Sequence, residues 1–341
     1  MNENYNKLDF FEKTEKVPRE VYYHYTSINA LYEIVKNKTF WLTSLISSND
    51  KEELYYKSDQ FIEDFKKIIN DETDENMKYV FEWIKQSYDD NKEEFIKCVK
   101  RKQEPYALSL SNKYDNLTHW DRYAENSSGV AIGFNTAALK VYYSRMNFNI
   151  FGGGLFDVGK VIYSDNLLQA ERSAIIAMSQ TIIETEKKFN REAADINNDI
   201  VKNGFFILAV SYLRLKVYTK SNFFIDENEV RLFYDAASIE STKSLINLMQ
   251  GSINNELYNN IKKNFETIIS DLEIDKSYFS VFQAGIREYR KLCLKKIWGS
   301  GVIPEIILGP MCVQNRHELR KFLIKNGLQG TNIKISKVPI R

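Results

Sequence analysis

The chain has few of the residues that build metal centres and disulfide frameworks. It contains three cysteines, Cys98, Cys293 and Cys312, and three histidines in 341 residues. The cysteines lie far apart and form no Cys-x-x-Cys pair, so the sequence predicts neither a zinc motif nor a set of disulfides. This cysteine usage is typical of a reducing compartment, and we therefore expect a cytoplasmic protein.

Long apolar runs, a charge imbalance and a phosphate loop are also absent from the sequence. No apolar run approaches the length of a membrane span, and residues 1–4 are polar rather than signal-like, so we expect no membrane partner. The net charge of +1 excludes a global basic field for nucleic acid. Gly152-Gly153-Gly154 is neither a dinucleotide fingerprint nor a P-loop. The 21 tyrosines and 21 phenylalanines instead indicate a folded chain with a sizeable core.

The order of the apolar patterns predicts an α+β fold in one domain over residues 1–341. Strand-like and helix-like segments are interspersed without regular βαβ alternation, which favours a mostly antiparallel sheet. We expect the core strands within about 20–45, 105–163, 223–235 and 287–340. We expect helical insertions at about 50–103, 165–218 and 236–276.

One of the three histidines lies at a junction that often binds ligands. The β-branched and aromatic run around His24 predicts a short strand, and Thr26 or Ser27 can cap the helix that follows. His24 is therefore expected at the end of a strand and beside a helix N-terminus, where phosphates and ribose hydroxyls are often held. The alternative is a histidine with a purely structural role.

A second candidate is the acidic motif Glu227-x-Glu229-x-Arg231 in a predicted strand. Residues two apart on a strand point to the same face, so both carboxylates are expected to line one cleft. The alternative is an acidic pair on an edge strand with Arg231 as its salt partner.

Several short motifs, taken in order, resemble the bacterial DUF2971 family over roughly residues 20–325. Each motif is weak alone, whereas their order and spacing are fairly specific. They are His24-Tyr25-Thr26, Trp41-Leu42 with Asn49-Asp50, Trp120-x-x-Tyr123-Ala124 before Gly129-Val130-x-Ile132-x-Phe134, Glu227-x-Glu229-x-Arg231, and Ile306-Ile307-Leu308-Gly309-Pro310.

Two features depart from that family pattern. The helical stretches at 50–103 and 165–215 are longer than a minimal member needs. The acidic motif also follows Phe224-Ile225-Asp226, where an aromatic residue closer to Glu227 is expected.

The DUF2971 pattern is itself similar to the ADP-ribosyltransferase superfamily, in which an early histidine, a mid-chain aromatic residue and a late glutamate surround NAD. The resemblance implies a split antiparallel sheet of that type, with NAD as substrate and no metal. It implies Glu229 first and Glu227 second as the carboxylate that stabilises the oxocarbenium-like state. The implied NAD-binding residues are His24 and Thr26 at the ribose on the adenosine side, with Tyr25 between them. They also include Trp120 or Tyr123 on the nicotinamide, and Arg122 and Arg231 at the pyrophosphate.

The core-packing alternative applies to Trp120 and Tyr123, and a helix cap is the alternative for Asn49 and Asp50. A rival hypothesis is a metal-dependent nuclease or hydrolase, although no His-x-x-x-His or Asp-x-Asp spacing supports it. Its candidate ligands are His24, Asp50, Glu227 and Glu229.

A third hypothesis is a nucleotide-binding or interaction module without catalysis.

The transferase hypothesis implies a bacterial toxin or phage-defence effector that modifies a macromolecule, either protein or RNA or DNA, with an antitoxin protein as a further partner. Two basic clusters are either solvated faces or a path for single-stranded RNA. They are Lys97-Lys100-Arg101-Lys102, and Arg287 with Arg290, Lys291, Lys295 and Lys296.

Overall fold

The computed structural model of the chain describes residues 20–47, 57–100, 104–139, 156–163, 168–176, 193–248, 250, 254–282 and 285–339. The strands are β1 Val21–Thr26, β2 Thr39–Ser44, β3 Pro105–Ser111, β4 Val130–Asn135, β5 Phe156–Lys160, β6 Ile162–Tyr163, β7 Thr219–Lys220, β8 Glu229–Asp235, β9 Ser277–Phe282, β10 Gly285–Cys293, β11 Glu305–Leu308 and β12 Asn332–Ile335. The main helices are α1 Ile28–Asn37, α2 Ser58–Asp71, α3 Glu75–Asp90, α4 Lys92–Lys100, α5 Leu117–Tyr123, α6 168–176, α7 Ala193–Tyr218, α8 Ala237–Leu248, α9 Asn255–Leu272 and α10 Arg316–Lys325.

Ten of the strands form one sheet with the order β12-β11-β4-β1-β3-β2-β10-β9, to which β8 and β5 add at β3. Neighbouring strands in this sheet are antiparallel except for β11 and β12. The predicted α+β class and its mostly antiparallel sheet are therefore confirmed. Among the described helices, none is both long and apolar enough to cross a membrane.

The sheet divides at the middle of β3. Strand β8 pairs with β3 along its whole length. On the opposite edge of β3, Tyr23 of β1 lies opposite Ser111, and Thr43 of β2 lies opposite Ala107. Ser109 lies between these two contacts, so the two arms of the sheet separate beside it.

Helical layers bury both faces of the central strands. All six residues of β4 are buried, which explains its nearly continuous apolar sequence. Ile132 and Phe134 join the main core with Leu31 of α1. Ala131 packs on the other side with Trp120 of α5. The sheet is thus held rigidly around the point where it divides.

Helix α1 begins as its sequence predicts. The Ser27 hydroxyl accepts a hydrogen bond from the Ala30 amide at 2.9 Å, and the helix ends at Lys38 in the left-handed region with φ 56°. His24 therefore lies near the end of β1 and close to a helix N-terminus, as predicted.

The predicted helical insertions are also present. Helices α2, α3, α4, α6 and α7 share a core of their own, which includes Phe61, Phe65, Phe81 and Phe95. The charged stretch Asp71-Glu72-Thr73-Asp74-Glu75 contains the boundary between two helices, since α2 ends at Asp71 and α3 begins at Glu75. Helices α8 and α9 occupy the third insertion. The single-domain organisation over 1–341 stays a prediction.

One core strand was not predicted. Strand β9 covers Ser277–Phe282, between the last predicted insertion and the strand expected from residue 287. It pairs with β10 alone among the described strands, and Phe279 and Val281 are 68% and 73% exposed. An edge strand of this kind lacks the buried alternation by which strands are recognised in a sequence.

Candidate functional site

A cavity of about 280 Å³ lies where the sheet divides. We call it the carboxylate cavity, and its polar walls come from β1, β3, α5 and the segment before β8. The residues that matter chemically are His24, Ser109, Tyr123, Lys220, Glu227 and Glu229. Four stretches that are distant in the sequence thus converge on one space.

His24 fills the gap left by the missing strand pairing. Its Nδ1 lies 3.1 Å from the Ser109 carbonyl oxygen. Because a carbonyl only accepts, Nδ1 donates this hydrogen bond, and Nε2 of the neutral ring is left as an acceptor. Burial lowers the pKa of His24, which favours the neutral ring at pH 7.

Glu229 opens β8 and is surrounded by donors. Its Oε1 accepts from Ser109 Oγ at 2.8 Å and from Arg231 Nε at 3.0 Å. Its Oε2 accepts from Arg231 Nη2 and from Lys220 Nζ, both at 3.1 Å. Burial alone raises the pKa of this carboxyl, but the charges of Arg231 and Lys220 outweigh it and hold the pKa at about 2. Glu229 is therefore an ionised carboxylate with four donors.

Glu227 does not lie on the strand, which corrects the expectation that strand alternation aligns the two glutamates. It ends the 3₁₀ helix Asn222–Glu227, and Asn228, with φ 42°, separates it from β8. The two carboxylates are nevertheless bridged by Lys220, whose Nζ lies 2.7 Å from Glu227 Oε2 and 3.1 Å from Glu229 Oε2. The Tyr123 hydroxyl donates to the other oxygen of Glu227, Oε1. Among the described residues Glu227 thus has two side-chain donors against four for Glu229.

The backbone of Glu227 is fixed from β3 and α5. Its carbonyl oxygen accepts from Ser111 Oγ at 2.9 Å, and His119 Nε2 lies 2.9 Å from the same oxygen. Burial lowers the pKa of His119. The Glu227 carboxylate is therefore presented from a fixed backbone.

Three residues of this site were not predicted: Ser109, His119 and Lys220. The sequence did contain a signal for Ser109, because Ser109 and Ser111 alternate with leucines and so lie on one face of β3. In the structure Ser109 is the exposed residue of this otherwise buried strand. Lys220 had no such signal, since it contacts both glutamates from β7, on the other side of the 3₁₀ helix Asn222–Glu227. Its side chain is 10% exposed, and its ammonium lies 4.7 Å from the centre of the Phe224 ring.

Three predicted ligand contacts are corrected by burial or position. Trp120 is fully buried, and its Nε1 donates to Asp115 Oδ1 at 2.7 Å, so it packs in the core and has no face for nicotinamide. Arg231 is fully buried between Glu229 and the Val217 carbonyl, so it is the salt partner and cannot reach a pyrophosphate. Arg122 is exposed on α5 and does not line the cavity.

The other predicted residues lie close to one another. Tyr25 lines the carboxylate cavity, and its hydroxyl donates to the Lys113 carbonyl oxygen at 2.8 Å. Tyr123 lines it with 45% of its surface exposed. Thr26 lines a second cavity of about 760 Å³, which we call the tryptophan cavity because Trp41 forms part of its wall. His24 and Thr43 line both cavities, so the two adjoin at these residues.

Asn49 and Asp50 lie outside the described residues. Among the residues that are described, no group of three or more His, Cys, Asp or Glu side chains is arranged to hold a metal ion.

Fold and site together define an α+β protein with a divided, mostly antiparallel sheet and a carboxylate-lined cavity at the division. A family model described as "Protein of unknown function (DUF2971)" matches residues 119–232, which confirms the DUF2971 resemblance over that range. The match includes Tyr123, Glu227 and Glu229 and excludes His24. No curated protein and no solved structure matches the chain.

Proposed function

We propose that this chain is an NAD-dependent ADP-ribosyltransferase that modifies a macromolecule, and that its divided sheet is of the ADP-ribosyltransferase type. One observation carries the proposal. His24, Tyr123 and Glu227 come from distant parts of the sequence and line one cavity. A histidine, an aromatic ring and a carboxylate around one cavity are the arrangement that the resemblance to ADP-ribosyltransferases implies around NAD.

The two adjoining cavities suit a dinucleotide. Their volumes of about 280 and 760 Å³ compare with the roughly 300–1,000 Å³ typical of small-molecule sites. The His24 Nε2 acceptor meets a ribose hydroxyl, and Thr26 adds a hydrogen bond on the side of the tryptophan cavity. The exposed ring of Tyr123 stacks on nicotinamide in the carboxylate cavity.

Glu227 is the better catalytic candidate of the two glutamates. Cleavage of the bond develops positive charge on the ribose, which a nearby carboxylate stabilises. Glu229 already accepts four hydrogen bonds and is neutralised by Arg231 and Lys220. Glu227 keeps unused acceptor positions among the described contacts, so the order of the two glutamates inferred from the sequence is reversed in this proposal.

The test is incubation of the purified protein with NAD labelled in the adenylate half, alone and with cell lysate. We expect nicotinamide release together with transfer of label to macromolecules, and nuclease or protease digestion then identifies the acceptor. Release of free ADP-ribose in every condition would instead define a glycohydrolase. No nicotinamide release in any condition would overturn the proposal.

A catalytically inactive nucleotide-binding module is the second candidate. The observation that favours it is Lys220, whose ammonium contacts both carboxylates and balances charge that the transition state needs. This candidate predicts that NAD raises the thermal unfolding midpoint while no nicotinamide is released. A toxin or phage-defence role with an antitoxin partner belongs to the transferase proposal, and loss of growth on expression, restored by Glu227→Gln, tests it.

A further inference from the structure

A row of stacked aromatic rings lies on the arm of the sheet formed by β2, β10 and β9. Trp41 stacks on Tyr289 with 4.1 Å between ring centroids and 23° between ring planes. Tyr289 stacks on Tyr278 at 5.6 Å and 25°. The three rings lie on one face, because Tyr289 pairs with Tyr278 and Trp41 pairs with Lys291, two residues along β10. We call these three residues the aromatic strip.

The β10 residues that share the face of the aromatic strip include two cations. Two carboxylates also line the tryptophan cavity beside the strip, Glu33 and Glu273, and Glu273 is paired with Lys295 at 3.1 Å. The two cations are Arg287 and Lys291, which share the alternation of Tyr289 along β10. Glu288, the acidic residue of these three strands, alternates to the opposite face, where it meets Ser277 and Arg290. The Lys291 ammonium lies 4.1 Å from the centre of the Tyr278 ring. Flat rings beside cations, without a carboxylate from these strands, complement a polyanion that has planar bases.

The aromatic strip leads to the proposed site of chemistry. Trp41 and Tyr289 line the tryptophan cavity. Arg287 and Thr43 line the carboxylate cavity together with Glu227. A chain laid along the strip therefore reaches the cavity that contains Glu227.

We propose that the aromatic strip binds single-stranded nucleic acid and that this strand is the acceptor in the transfer. Its bases stack on Trp41, which is 40% exposed, and on Tyr278, while Arg287 and Lys291 bind the phosphates. In this arrangement NAD occupies the part of the tryptophan cavity that His24 and Thr26 line, and the strand occupies the part at Trp41. A duplex is excluded from this mode because its bases already stack on each other. The binding stands by itself, whereas the acceptor role rests on the proposed function.

The transfer step balances with the residues present. A nucleophilic oxygen or nitrogen of the strand forms a bond to C1 of the nicotinamide ribose. The bond from that carbon to nicotinamide breaks, and nicotinamide leaves as a neutral molecule with the electron pair. The proton of the nucleophile passes to the Glu227 carboxylate.

Fluorescence anisotropy with a labelled single strand of about 12 nucleotides, without NAD, tests the binding. We expect Trp41→Ala and Tyr278→Ala each to weaken binding at least about fivefold through lost stacking. Phe279→Ala is the matched control, because Phe279 is the next residue on β9, is 68% exposed and faces the other side. Lys291→Gln should reduce the slope of log affinity against log salt by about 0.7 and gives a second readout if Tyr278→Ala fails to fold.

Three results would overturn the proposal that the aromatic strip binds single-stranded nucleic acid. They are no binding of a single strand by the wild type at low salt, equal binding of the duplex, and strip variants that bind as tightly as Phe279→Ala. Nicotinamide release in the same preparations separates the two proposals. Nicotinamide release without oligonucleotide binding overturns only the proposal that the strip binds nucleic acid. Oligonucleotide binding without nicotinamide release overturns the proposed transfer reaction but supports the binding site. Label found only on protein overturns the proposal that the strand is the acceptor.

Discussion

Two glutamates that are two residues apart occupy different electrostatic environments. Glu229 lies against a buried arginine, and its four hydrogen bonds leave it ionised with a pKa of about 2. Glu227 shares Lys220 with it but otherwise accepts only from Tyr123 among the described side chains. Since a carboxylate must have open lone pairs to act on a ligand, we propose that Glu229 anchors the site and that Glu227 is its reactive group.

The anchoring role predicts a large effect of Arg231→Met. Removal of the guanidinium leaves the Glu229 carboxylate buried with one fewer cation, which costs about 3–5 kcal/mol of the free energy of unfolding. Urea denaturation measures it. Arg122→Met, at an exposed arginine, is the control and should change stability by less than about 0.5 kcal/mol. Equal effects of the two substitutions would contradict the anchoring role.

Glu229 also predicts the shape of the acid side of the stability curve. Its pKa in the folded protein lies below its ordinary value of 4.5, so its contribution to stability is present at neutral pH and is lost as pH falls from 4.5 towards about 2. Denaturation at a series of pH values should show a flatter acid limb for Glu229→Gln than for wild type. Glu94→Gln, at an exposed pair with Lys97, should leave the limb unchanged. Parallel curves of unfolding free energy against pH for wild type and Glu229→Gln would contradict the lowered pKa of Glu229.

At the scale of elements, the helical insertions form a second packed layer. Helix α7 packs on α3 at Gly204, where an added Cβ would lie 2.8 Å from both Ile84 Cα and Ser87 Cβ. Glycine is required there by the close approach of two helices rather than by backbone freedom. Strand β7, which contains Lys220, follows α7 directly, so this packing helps to position the cation of the site.

Gly204→Ala is therefore expected to destabilise the protein, although alanine in a helix is normally favoured over glycine by about 1 kcal/mol. Overpacking between α3 and α7 should cost about 1–3 kcal/mol, as measured by chemical denaturation. Gly285→Ala is the control, since no atom lies within 4 Å of the added Cβ. A stabilising effect of Gly204→Ala would show that the two helices are not in close contact.

At the scale of the whole molecule, most of the fold could be predicted because its elements are buried in regular patterns. Three features follow local rules: the continuous apolar run of β4, the helix cap at Ser27 and the charged boundary between α2 and α3. Strand β9 could not be predicted, since its side chains are exposed on an edge. The division of the sheet beside Ser109 depends on pairing between distant strands, which no local pattern records.

The candidate site was predictable only where a residue type alone suggests chemistry. His24, Tyr123 and the two glutamates stood out by type and order, and the structure brings them to one cavity. Trp120 and Arg231 look the same in a sequence whether they face a ligand or the core, and burial decides between the two. Lys220 belongs to the site because tertiary packing places it beside the two glutamates, and no rule of sequence spacing predicts that position.

The rate of nicotinamide release from NAD by wild type and Glu227→Gln tests the central claim most directly. We predict release by the wild type and a loss of at least about 100-fold in a Glu227→Gln variant that still folds, because the neutral amide cannot stabilise the positive charge on the ribose. A wild type that releases no nicotinamide, or a folded Glu227→Gln that keeps the full rate, would contradict the account.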